Sequence, residues 1–416
     1  MKRSWLASLG VALVTSALMA APAIADTNLV FAFWGDPPEV PPFQKIAADY
    51  MAKHPDVHIE LQNAPWSGYF TKLDAQLAAG GGPDVFFITN VPSYAARNTL
   101  EDLDPWIAKT KFPIDQYVKD SLRIHSLNGK LYSIPRDNAT NVLYYNKDDF
   151  DKAGLKYPDA SWKWADIQAA AKKLTVSSGG RVTRYGLVLE SNQWPMWVYQ
   201  NGGSVFDDPV QPTRFTLADP KAVEAIQFLG DLINKDRSVP NFQEADQMGG
   251  TASMFAADQA SMSITNASRL GTYAKAPFKW AVAPLPAGPT GIHANEAGGA
   301  GFAMNANSKV KDAAWAFMQY LCGPEGQIAF ASAGASPAVP AMIGNAEVRA
   351  SFKAPFADVF LSETANGKVF PQFPTYVDLT NKYIQPALDK VWNGEATAAD
   401  SLGGIKDQVD AALKAQ

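Results

Sequence analysis

The chain has 416 residues, 47% hydrophobic and 19% charged, which is enough apolar material for a sizeable core and sets disorder aside. Its 36 basic and 41 acidic residues give a net charge of −5 with no polybasic run, so nucleic acid and anionic membrane surfaces are poor partner candidates. Cys322 is the only cysteine, so no internal disulfide can form, and its place at the end of an apolar helical pattern suits a buried, inert thiol.

Taken in chain order, the first residues read as an export signal. Lys2 and Arg3 form a positive start, Leu6 to Ala20 an apolar stretch, and Ala23-Ile24-Ala25 a small-x-small cleavage site before Asp26. The apolar run is too short for a spanning helix. Removing residues 1–25 leaves 391, a length that suggests two domains, and takes the net charge from −5 to −7. No cysteine follows the cleavage site to accept a lipid, which points to free diffusion in a Gram-negative periplasm rather than tethering.

Asn28 to Trp34 reads as a buried strand stopped at Gly35-Asp36-Pro37-Pro38. A helix is expected from about Pro42, with Phe43, Ile46, Tyr50 and Met51 at helical spacing. Val57, Ile59 and Leu61 alternate as a second strand, and Phe70, Leu73 and Leu77 line a second helix. Gly80-Gly81-Gly82-Pro83 ends that helix before a strand at Asp84 to Ile88. This alternation predicts an α/β fold with a largely parallel sheet. Further strands are expected at Lys130 to Pro135, Asn141 to Tyr145, Tyr185 to Leu189, Ser261 to Thr265, Lys279 to Ala283 and Phe302 to Met304. Helical patterns run around Trp164 to Leu174, Trp194 to Val198, Val223 to Ile233 and Val310 to Leu321, and the remainder is helical with Pro-bearing loops. No repeat, low-complexity tract or long linker interrupts the chain, which fits two domains joined by several crossings.

Ligands of open α/β sheets sit beyond the carboxyl ends of the strands. Here those loops hold Trp34 with Asp36, Trp66 with Tyr69, Thr89 with Asn90, and Asp137 with Asn138 and Asn141. Later come Trp194 with Trp197, Asn266 with Arg269, and Glu296 before Gly298 and Gly299. Flat aromatic faces match the C–H face of a pyranose, while carboxylates, amides and guanidinium groups match its hydroxyls. Each residue also has a plainer reading. A single tryptophan is usually core, Asp137 suits a turn cap, Asn266 a helix N-cap, and Arg269 and Arg136 solvated surface cations. Trp34 and Trp66 carry the ligand reading furthest, since both follow predicted strands and stand next to glycine loops.

Enzyme signatures are scarce. The four histidines are scattered, and no H-E-x-x-H, G-x-S-x-G, phosphate loop or cysteine pair is present, so no metal or other cofactor is expected. A glycosidase using two carboxylates, such as Asp137 and Glu296, has no spacing signature and stands as the second hypothesis.

Three stretches resemble the family 1 extracellular solute-binding proteins of ABC carbohydrate importers, the group that includes maltose-binding protein. They are Gly81-Gly82-Pro83-Asp84-Val85; Ile134-Pro135 with Asn141 to Asp148; and Gly298-Gly299 through Asn307-Ser308-Lys309 and Ala313 to Met318, to Gly323-Pro324-Glu325-Gly326-Gln327. The likeness spans almost the whole mature chain, and its second and third stretches are the specific ones. It implies two lobes, each with a mixed, mostly parallel sheet, joined by three crossings: residues 26–139 with 300–340, and 140–299 with 341–416. It implies sugar contacts from Asp137, aromatic platforms at Trp34, Trp66 and Trp194, and backbone approach at Gly298-Gly299. The implied activity is capture of a carbohydrate ligand by lobe closure, as a monomer, and its delivery to the permease subunits of the importer, without catalysis. The same fold binding another solute, such as a polyamine, a peptide or ferric ion, is the remaining reading.

Overall fold

The computed structural model describes residues 26–35, 37, 39–138, 140–352 and 356–415; the expected export signal over 1–25 lies outside them. β1 (Thr27–Trp34) has Leu29, Phe31 and Phe33 fully buried along one face, while on the other Ala32 is buried and Val30 and Trp34 are half-buried. α1 (Val40–Lys53) opens with proline in its first turn and buries Phe43, Ile46, Ala47 and Tyr50 along one stripe. β2 (Val57–Ala64), α2 (Trp66–Ala78) and the wholly buried β3 (Val85–Ile88) complete the first unit.

Among the described residues the first sheet has five strands, in the order β2, β1, β3, Gly301–Met304, Ser133–Pro135. The second has four, in the order Val188–Leu189, Met262–Asn266, Asn141–Asn146, Trp280–Ala283. The α/β class and the two-sheet architecture match the sequence expectation. The parallel character holds where helices join the strands, at β2–β1 and β1–β3. It gives way where Gly301–Met304 enters antiparallel to both of its neighbours. The second sheet likewise has one parallel and two antiparallel pairings. The cause is connectivity: a strand that returns from the other half re-enters from the far end, whereas a helical crossover restores direction. Of the strand expected at Tyr185 to Leu189, Val188–Leu189 forms, and Tyr185 makes an isolated bridge to Ala260.

Each sheet has its own core. Phe31, Phe33, Phe43, Phe87, Phe302, Phe317 and Phe330 interlock around the first, which accounts for much of the aromatic excess. Trp164, Trp197, Ile226 and Leu388 belong to the second. Cys322 is buried, as its position suggested. Among the described residues no helix is long and apolar enough to cross a membrane.

The Gly-Gly-Pro-Asp turn is structural. Asp84 accepts from Val30 N at 2.9 Å and from Ser308 Oγ at 2.6 Å, and Asn305 Nδ2 donates to Gly81 O and Pro83 O. Two of the family-like stretches therefore fasten to each other across more than 200 residues of chain.

Candidate functional site

Between the two sheets lies a cavity of about 460 Å³, within the range of small-molecule sites. One wall comes from the ends of β1 and β3 and the start of α1 and α2: Trp34, Glu39, Phe43, Trp66 and Thr89. The opposite wall carries Glu190, Asn192, Gln193, Asn266, Ser268, Arg269 and Gln372. The floor is made by the chain as it passes between the sheets, with Arg136, Asp137, Asn138, Thr140, Asn141, Glu296 and Gly299.

The two tryptophans meet edge to face, with centroids 4.9 Å apart and planes at 84°. Trp34 is also gripped by Phe87, Tyr69 and Phe70 at 5.2–5.5 Å. Trp66 leaves 53% of its surface exposed, the largest exposed aromatic among the described residues. A half-buried indole seating an exposed one provides a flat apolar surface on one side of an otherwise polar cavity.

The floor is stitched by side chains. Asp137–Asn138 pairs antiparallel with Ser336–Pro337, and Asn138 Nδ2 donates to Pro337 O at 2.8 Å. The third pass joins them: Ala300 N donates to Asp137 Oδ1 at 2.9 Å, Gly298 N to Asn138 Oδ1 at 3.3 Å, and Arg136 N to Ala300 O at 2.8 Å. Gln327 adds bonds to Arg136 O and from Ala338 N. Glycine at 299 is needed, because a Cβ there would lie 2.2 Å from Asp137 Oδ1. Asp137 is thus both a cavity residue and the fastener of the crossings. Its second oxygen accepts from Arg136 Nε at 3.0 Å and from the same guanidinium's Nη2. Arg136 itself stacks 4.3 Å from the Phe87 ring centroid and 5.2 Å from that of Trp34. Held by a carboxylate and two rings, it is not the solvated cation that its sequence context suggested.

Beside this floor, Asn141 accepts from Gln193 Nε2 at 2.9 Å, and its side chain hydrogen-bonds to Glu296. Asn141 N donates to the buried Asn295, whose amide donates in turn to Asn141 O and Glu363. Burial, and then the Asp137 charge, push the Glu296 carboxyl up to about 8, so it carries a proton at neutral pH.

Of the sequence-predicted residues, Trp34, Trp66, Asp137, Asn138, Asn266, Arg269, Glu296 and Gly299 line the cavity. The others stand elsewhere. Tyr69 is 3% exposed and its hydroxyl bonds to Phe87 O and Ala32 O, clipping β3 to β1. Asn90 takes a left-handed conformation (φ 51°) at the start of helix Val91–Ala96 and does not reach the cavity. Trp194 and Trp197 are buried in the second core, because the helix they occupy (Trp194–Gln200) turns that face inward. Gly298 packs under Ile124 with φ 84°. Asp36 lies outside the described residues. Asn266 caps the turn that follows it, accepting from Ser268 N at 3.0 Å, so the capping reading and the cavity position hold together.

Glu39, Glu190, Asn192, Gln193, Gln372 and the Ala333–Ser336 segment line the cavity without having been anticipated. The strand-end rule that selected Trp194 applies equally to Glu190 through Gln193, which directly follow Val188–Leu189. The bulky aromatic just beyond drew the inference one turn too far. Gln372 arrives from the far end of the chain and has no local signal.

Two α/β halves joined by paired crossings, with a polar cavity between them floored by those crossings, define a bivalve binding protein. The chain belongs to the bacterial extracellular solute-binding protein family, whose model matches residues 34–328. A putative binding protein of Brucella abortus (strain 2308) is 27% identical over 301 residues, 68% of each chain. The arabinooligosaccharide-binding protein of Bacillus subtilis (strain 168) is 29% identical over 208 residues, 48% of this chain and 46% of the relative. In structure the chain is similar to an ABC substrate-binding protein from Listeria monocytogenes in complex with cycloalternan. There the TM-score is 0.82 at 26% identity, covering 94% of this chain and 99% of that one.

Proposed function

We propose that this chain is the periplasmic sugar-binding component of an ABC importer, exported with cleavage after Ala25. It acts as a monomer that closes on a sugar or sugar derivative and hands it to the permease without changing it. In this reading the moving lobes are residues 26–139 with 300–340, and 140–299 with 341–416, and the stitched floor is the hinge. The carrying observation is that Trp34 and Trp66 share one cavity with amides and carboxylates from the opposite half. A ring stacked on the tryptophans places its hydroxyls against Asn192, Gln193 and Asn266, so a saccharide touches both halves and favours the closed state. The arabinooligosaccharide-binding relative supports a carbohydrate ligand.

One observation favours a second reading: Glu296, carrying a proton, faces the charge of Asp137, the pairing that glycoside hydrolysis uses. Against it, both Asp137 oxygens are already engaged, by Ala300 N and Arg136. A thermal-shift screen with mono-, di- and oligosaccharides, small-angle scattering and chromatography of the recovered ligand separates the two. A bound saccharide at a hundredfold excess over Kd should stabilise by about 2.7 kcal/mol, shrink the radius of gyration and be recovered intact. Appearance of shortened products decides for the enzyme. A panel with no stabilising saccharide removes the sugar reading.

A further inference from the structure

Gln193 is 6% exposed, and its Nε2 is committed to Asn141 Oδ1 at 2.9 Å. Gln193 lines the same cavity wall, and its Oε1, itself buried, has no hydrogen-bond partner among the described residues; nor has the hydroxyl of Thr140, 1% exposed on the adjoining floor. A buried, unmatched acceptor is costly in the free protein and is satisfied by a ligand group that donates. Around it the cavity is rich in carboxyl groups: Glu39, Asp137, Glu190 and Glu296 line it, against the guanidinium groups of Arg136 and Arg269, with no lysine or histidine among the described lining residues. Arg136 is not at the disposal of an incoming anion, since Asp137 and the rings of Phe87 and Trp34 hold it.

From this arrangement we infer that Gln193 and Glu296, joined through Asn141, form the specificity-determining corner of the cleft, selecting a neutral polyhydroxylated ligand and rejecting its carboxylate counterpart. The inference rests on the sugar-binding reading and narrows it. A hydroxyl donates to Gln193 Oε1. A carboxylate in its place has no proton to give and brings a like charge toward Asp137 and Glu190, where water is largely excluded. The proton that Glu296 retains reflects the same surroundings: burial and a neighbouring carboxylate already disfavour one more negative charge there. With its proton, Glu296 also donates to a ligand oxygen.

The test uses matched pairs: glucose and glucuronate, galactose and galacturonate, erythritol and erythronate, and disaccharides with one hydroxymethyl oxidised to carboxylate. Affinities are measured calorimetrically at pH 7 on the full mature chain. The tightest neutral ligand should bind at least about tenfold better than its carboxylate partner. Glu296→Gln keeps the corner uncharged and should leave that gap within about threefold, while Gln193→Ala should weaken the neutral ligand by about tenfold or more. The wild-type ratio needs no variant, so a Gln193→Ala chain that fails to fold leaves the result intact. A carboxylate partner bound as well as, or better than, the neutral ligand overturns the inference while leaving the sugar reading standing. If no neutral member of any pair binds, the sugar reading fails and this inference with it.

Discussion

Trp34 is gripped edge-on by Phe87 and Tyr69 and at a tilt by Phe70, whereas Trp66 has over half of its surface exposed beside it. That difference separates their effects on folding and on binding. Trp66→Ala removes a stacking surface but little buried core, so affinity for the bound saccharide should fall about tenfold while stability moves by less than about 1 kcal/mol. Trp34→Ala opens a hole among four aromatic rings and should cost about 3 kcal/mol of stability as well as binding. Calorimetric titration and denaturant unfolding of both variants check this; if Trp66→Ala binds as wild type does, the platform assignment is wrong. Residue type made both tryptophans legible as cavity residues. It misled at Trp194 and Trp197, where the same amino acid fills a core, because which face of a helix turns inward depends on the elements packed against it.

The crossings carry information of a different kind, because three short segments satisfy one another's backbone groups. Side chains of Asp137, Asn138 and Gln327 add to the two-residue ladder that is all the backbone supplies there. Gly299→Ala pushes a methyl group into Asp137 and should destabilise the chain by about 1–3 kcal/mol and weaken ligand binding. Gly68→Ala, inside α2 with nothing within 4 Å of its would-be Cβ, should be neutral or stabilising by up to about 1 kcal/mol. Denaturant unfolding of the two variants side by side tests the claim, and equal midpoints would count against a strained floor. The Gly298-Gly299 run was visible in the sequence as a place for close approach. What approaches it is the chain's own Asp137 at Gly299 and Ile124 at Gly298, a fact that lies in the tertiary pairing.

At the scale of the whole molecule, two buried groups set opposite limits on stability. His125 is 1% exposed, one ring nitrogen lies 2.6 Å from Ser133 Oγ, and burial holds its pKa down to about 3 from the usual 6.5. The native state therefore keeps it neutral, and the stability tied to that is present above pH 6.5 and lost as pH falls toward 3. Glu296 runs the other way. Its pKa is raised from 4.5 to about 8, so its contribution is complete below 4.5 and lost as pH rises through 8. Unfolding free energy should thus peak between about pH 4.5 and 6.5. Glu296→Gln should flatten the alkaline limb and His125→Gln the acid limb; denaturant titrations from pH 4 to 9 decide, and unchanged limbs would refute the assignment. Composition and periodicity were sufficient to establish the α/β class, and three motif stretches to suggest the family, because those depend on local patterns along the chain. Tertiary structure decided which strands run antiparallel, that Asp137 fastens the crossings as well as lining the cavity, and that Gln193 and Gln372 line that same cavity. Those outcomes depend on segments as far apart as Trp34 and Gln372 meeting at one cavity, and no local pattern encodes which of them will meet.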